Sequence, residues 1–89
     1  MKYITIKIAG KVQGVFFRAS TKEQADALGI KGTVQNERDG SVFVEAEGDD
    51  ALIDQFIEWC RRGPRMANVI SCDVTEASPK NFKDFVIKR

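Results

Sequence analysis

Gly10-Lys-Val-Gln-Gly-Val-Phe-Phe-Arg18, with Asn36 eighteen residues beyond the arginine, is the stretch whose residue types and spacing point to chemistry. Glycines bound a loop that follows an apolar strand pattern and precedes a helical pattern opening near Phe17. Free backbone N–H groups at such a junction face whatever sits above the helix N-terminus, where the macrodipole favours an anion. Arg18 adds a planar, permanently charged fork suited to phosphate. Gly14 would let the backbone approach that anion closely. The reading is a small phosphate cradle, although a glycine-rich turn with one arginine is a weak signature on its own.

Composition narrows the chemistry further. The chain has no histidine, which removes the usual neutral-pH general base and the commonest metal ligand together. Glu45, Glu47, Asp49 and Asp50 are better explained as a solvated strand face and a helix cap than as metal ligands. Cys60 and Cys72 fit no metal or redox spacing and fall at positions patterned for burial, where thiols act as small apolar groups. The net charge of +1 argues against a nucleic-acid partner. Arg61, Arg62 and Arg65 cluster where a helix ends, which suits its dipole. No apolar run is long enough to span a membrane, and the N-terminus alternates rather than forming a signal peptide's apolar core. A cytoplasmic protein working as a monomer, one domain over residues 1–89, is expected.

The elements that must position these residues follow from periodicity. Ile4, Ile6 and Ile8 alternate with polar neighbours and predict a strand. A helix with Phe17, Ala25 and Leu28 inward follows the loop and stops at Gly29. Ser20 to Glu23 and Thr21 to Gln24 both fit a capping box, so propensity alone would start this helix three residues later. Two strands, Gly32–Asn36 and Ser41–Glu47, flank an Asp39-Gly40 turn and predict a hairpin, with Asn36 opening its turn. Leu52, Ile53, Phe56, Ile57 and Cys60 recur at helical spacing, with Asp49 or Asp50 as cap and Gly63-Pro64 as stop. Ile70, Cys72 and Val74 alternate in a further strand. Phe85 and Ile87 mark the last strand, after a turn at Ser78-Pro79-Lys80-Asn81. This βαββαβ order with an extra strand is the α+β, ferredoxin-like sandwich, with two helices on one face of a mostly antiparallel sheet of four or five strands.

Taken together, these motifs resemble the acylphosphatase family over nearly the whole chain. The shared residues are the Gly-x-Val-Gln-Gly-Val-x-Phe-Arg loop at 10–18, then Thr21, Ala25, Leu28-Gly29, Gly32-x-Val-x-Asn36 and Asp39-Gly40. Trp59, Arg62-Gly63-Pro64 and Ala67-x-Val69 complete the match. The resemblance implies hydrolysis of small-molecule acyl phosphates to a carboxylate and inorganic phosphate, with no metal or organic cofactor. It places phosphate binding on Gln13, Gly14, Val15, Phe16, Phe17 and Arg18, with Arg18 as charged anchor. It makes Asn36 the residue that positions the attacking water.

One position departs from the pattern. Thr33 occupies a site that is usually aromatic in that family; its side chain is expected on the sheet surface, with an effect on packing. The alternative reading is a non-catalytic anion- or RNA-binding module of the same fold. RNA-binding sandwiches stack bases on sheet aromatics, a part that Tyr3 and Phe43 would play here, but the RNP consensus is absent.

Overall fold

Alternation of Ile4, Ile6 and Ile8 with Tyr3, Thr5 and Lys7 becomes β1 (Lys2–Lys11) in the computed structural model, which describes residues 1–88. It is followed by α1 (Phe17–Leu28), β2 (Lys31–Asn36), β3 (Val42–Gly48), α2 (Asp50–Arg62), β4 (Asn68–Ala77) and β5 (Phe85–Ile87). The sheet order is β4-β1-β3-β2-β5, with every pair antiparallel except β2–β5. This is the expected ferredoxin-like arrangement with the extra strand added at the β2 edge. The three isoleucines of β1, with Val34, Val42, Val44 and Ala46, meet Phe17 and Ala25 of α1 and Ile53, Phe56 and Cys60 of α2 in one buried cluster. Both helices therefore cover the same sheet face.

The helix ends show which local signals govern. α1 begins at Phe17, not at the capping-box residues. Thr21 is buried inside it, its Oγ1 donating to the Phe17 carbonyl at 2.7 Å. At the other end Ile30 N–H reaches the Ala25 carbonyl at 2.8 Å around left-handed Gly29, the paired closure expected of a helix-ending glycine. Asp49 caps α2 by accepting from Ala51 N–H at 3.0 Å. The hairpin turn is held by Asp39, whose carboxylate accepts from the Ser41 hydroxyl at 2.6 Å and the Ser41 N–H at 3.0 Å. Those bonds, with Lys7 beside them, hold the Asp39 carboxyl far below the usual carboxylate range.

β4 departs from the sequence reading. Ile70 is 77% exposed, Val74 is also exposed, and Cys72 is only half-buried, whereas Cys60 is fully buried as expected. β4 lies at the sheet edge, and its register against β1 shifts between Ala9 and Gly10. The shift turns Val69 rather than Ile70 toward the core. Gly10 is needed there because a Cβ would collide with the Asn68 carbonyl.

The face opposite the helices is not the solvated surface that the polar positions of β3 suggest. Residues 78–84 fold back over part of it. Buried Glu47 accepts three backbone N–H groups of that segment, from Lys80 (2.6 Å), Asn81 (3.1 Å) and Phe82 (2.8 Å). Glu45 accepts from Tyr3 Oη and Thr33 Oγ1, each at 2.7 Å, and pairs with Lys80 Nζ at 3.1 Å. Thr33 does lie on this face, but it is buried at 5% exposure rather than on the surface. Burial pushes both carboxyls up, yet the donors outweigh it and hold each below the ordinary glutamate value.

Carboxylates with depressed folded-state pKa values stabilise fully above the unfolded-state range, about 4.3 for glutamate, and lose that contribution as pH falls. Urea midpoints are therefore expected to stay level near neutrality and to drop below about pH 5. Glu47→Ala should cost about 2 kcal/mol at pH 7 and shrink that acid limb, because it strands three amide donors. A midpoint equal to wild type would show that the segment is held by other contacts.

Candidate active site

Register decides what lies near the loop. Val42 of β3 pairs with Ile8 on one side and with Asn36 on the other. Asn36 thus stands level with Ile8, two strand spacings or about 10 Å across the sheet, just short of where β1 gives way to the loop. β5 runs parallel to β2 with Ile87 opposite Val34, so the C-terminal end of β5 reaches the same rim.

The loop is pinned from below. Val12 and Val15 are buried in the core. Phe17 is buried too, with its ring edge-on to Trp59 at 5.7 Å and close above Gly63, where a Cβ would meet it at 2.7 Å. Between these anchors Gly14 (φ 74°) and Phe16 (φ 61°) take the left-handed conformation. A Cβ at Gly14 would meet no protein atom within 4 Å, so within the chain its glycine answers to backbone φ rather than to crowding.

Above the loop lies a cavity of about 360 Å³, lined by Gly14, Phe16, Phe17 and Arg18, by Asn36 from β2 and by Ile87 from β5. Arg18, in the first turn of α1, donates from Nη1 to the Lys88 carbonyl at 3.2 Å. Lys88 is itself held by its N–H to the Val34 carbonyl at 2.8 Å. The guanidinium is thus tied to the rim by a neutral acceptor, and the ion pairs among the described residues do not include it with Glu23.

Of the residues expected in the cradle, Gly14, Phe16, Phe17, Arg18 and Asn36 come together here. Val15 points into the core, and the Gln13 side chain turns elsewhere. Gln13 Nε2 donates to the carbonyls of Glu37 and Ser41, each at 2.8 Å. It ties the loop to the hairpin turn that Asn36 opens. Ile87 and the Lys88 carbonyl were not legible as site features, because nothing in the terminal residues marks which strand they will join. Of the two sheet aromatics, Tyr3 is buried, with the Phe82 ring stacked on it at 6.2 Å, whereas Phe43 is half-buried.

Gln13→Ala is expected to lose about 1–2 kcal/mol of stability and to speed amide exchange at Glu37 and Gly40, whose N–H groups close the turn. Gln13→Glu should lose more, since it sets a carboxylate against two carbonyl oxygens. Wild-type urea midpoints and exchange rates in both variants would show that this tether is dispensable.

Comparison with known proteins gives a consistent result. The family model described as Acylphosphatase matches residues 4–87. An acylphosphatase of Lactiplantibacillus plantarum is 46% identical, over 98% of this chain and 98% of its own length. One of Thermotoga maritima is 44% identical, over 99% of this chain and 98% of its own. The crystal structure of acylphosphatase from Bacillus subtilis superposes with a TM-score of 0.97 at 33% identity, covering both chains completely. With a full-length match at this identity, the chain belongs to the acylphosphatase family.

Proposed function

We propose that Arg18 and the backbone of the Gln13–Arg18 loop hold the phosphate of an acyl phosphate while Asn36 directs the water that hydrolyses it. The observation that carries this reading is the meeting of Gly14, Arg18 and Asn36 on one cavity wall system, from three different elements. The guanidinium and loop amides are suited to the equatorial oxygens of the phosphoryl group. The side-chain carboxamide oxygen of Asn36 is suited to accept a hydrogen bond from water and hold it in line with the breaking bond.

The reaction asks for little else. Water oxygen forms a bond to phosphorus as the bond from phosphorus to the bridging oxygen breaks, and that electron pair leaves on a carboxylate. Its conjugate acid has a pKa of about 4, so the leaving group needs no proton near neutrality. The proton of the attacking water passes to the phosphate's own oxygens. Positioning and charge stabilisation remain for the protein to supply, the main contributions in phosphoryl transfer generally. A chain with no histidine can perform this chemistry, and the reading requires no metal or organic cofactor.

A single domain over 1–89, a monomeric working form, a cytoplasmic setting and no nucleic-acid partner belong to the same reading. The balanced charge and the buried position of Tyr3 support the absence of a nucleic-acid partner. No helix is long and apolar enough to cross a membrane among the described residues.

Phosphate release from benzoyl phosphate tests the proposal. Arg18→Ala and Asn36→Ala should each lose at least ~10²-fold in turnover while keeping the unfolding free energy within about 1 kcal/mol of wild type. Near-normal turnover by either variant removes its assigned role. With no protein group of intermediate pKa taking part, kcat should be level from about pH 5 to 8. A steep limb near pH 7 would reveal a titrating residue that the mechanism omits.

A further inference from the structure

Phe16 is the most exposed large apolar side chain among the described residues, at 83%, and the packing of the fold gives no reason for a phenyl ring there. Its backbone is left-handed at φ 61°, a conformation that glycine or asparagine adopts at lower cost than an aromatic residue. The backbone is also fixed: the Phe16 carbonyl accepts from Ser20 N–H at 3.0 Å, closing the first turn of α1. A bulky ring thus projects from a rigid and unfavourable position into water. The other exposed large apolar residues, Met1, Met66, Ile70, Val74 and Val86, do not line the cavity that holds Arg18 and Asn36, whereas Phe16 does.

We propose that the Phe16 ring is the acyl-group subsite of this cavity, selecting acyl phosphates whose acyl portion presents an aromatic or extended aliphatic face. The inference rests on the hydrolase reading above and adds the substrate class. In-line displacement sends the leaving carboxylate away from the water held by Asn36. Asn36 belongs to the β2 wall, whereas Phe16 belongs to the loop wall, which grips phosphate with its backbone and offers its ring to what is attached to that phosphate. Half-buried Ile87 supplies further apolar surface at the same rim. Covering roughly 50 Å² of apolar area is worth close to tenfold in binding. Because the acyl tail carries no charge that develops during the reaction, that gain is uniform binding and belongs to KM rather than kcat.

The test compares kcat and KM for benzoyl phosphate and acetyl phosphate in wild type, Phe16→Ala and Phe16→Leu, with inorganic phosphate inhibition as a gauge of the cradle. The ratio of kcat/KM between the two substrates cancels any general loss from disturbing the loop. It is expected to fall about tenfold in Phe16→Ala, mostly through KM for benzoyl phosphate, and by an intermediate amount in Phe16→Leu. Phe16→Asn, which tolerates the left-handed backbone, replaces Phe16→Ala if that variant does not fold. An unchanged ratio in an active enzyme overturns the subsite while leaving the hydrolase reading intact. Turnover of neither substrate by wild type overturns the hydrolase reading, and the subsite falls with it.

Discussion

Three strands running the same way, β1, β2 and β5, deliver their C-terminal ends to one rim of the sheet, and everything at the site depends on that register. β1 and β2 are parallel because each is antiparallel to β3 between them. A strand that crosses over through a helix must travel the length of the sheet and return in the same direction, so the split βαβ unit forces two chain exits onto one edge. The first exit becomes the loop and the second carries Asn36. A slip of one residue along β3 would turn Asn36 to the other face, and the buried valines of β2 and β3 prevent it.

Residues far apart in sequence become one support around that edge. Trp59 and Gly63, at the end of α2, serve the loop by seating the Phe17 ring, one contacting its edge and the other making room beneath it. Gln13 binds the loop to the turn beyond Asn36. The loop is therefore anchored at two separate points, by an aromatic contact on the core side and a carboxamide tie on the hairpin side. Rigidity matters because preorganised donors stabilise developing charge without reorganising at the moment of reaction.

Local signals were legible where local physics decides: the Gly29 stop, the Asp49 cap, the Asp39-Gly40 turn and the apolar stripe of α2 all formed as read. α1 starts at Phe17 as read, against the capping boxes at Ser20 and Thr21: the Phe17 ring is buried, and Thr21 satisfies its hydroxyl within the helix. Ile70 misled because a bulge and an edge position are properties of strand pairing, not of β4's own alternation. Glu45 and Glu47 looked solvated because nothing in β3 announces that residues 78–84 will return across it. Of the candidate site, motif spacing singled out Arg18 and Asn36, and the fold brings both to one cavity. The turned-away Gln13 side chain and the Lys88 carbonyl depend on contacts between residues 24 to 70 positions apart, beyond the reach of any local pattern.

The covered sheet face has a bearing on the arginine at the opposite rim. β5 has only three residues, too few to hold a register by pairing alone, yet it carries Ile87 to the cavity and leads the Lys88 carbonyl to Arg18. Its approach is set by the segment that Glu47 grips through three amides, and then by Gly32 N–H bonding the Asp84 carbonyl at 2.9 Å. Thr33 sits in the same polar group through Glu45 and is itself paired with Val86 of β5. An aromatic residue at position 33 would have to fit the enclosed space now shared by Tyr3, Glu45 and Thr33. Its effect would then have a path to Arg18 by way of β5 and the Lys88 carbonyl. Polar contacts on the side of the sheet away from the helices thus help determine where the guanidinium stands.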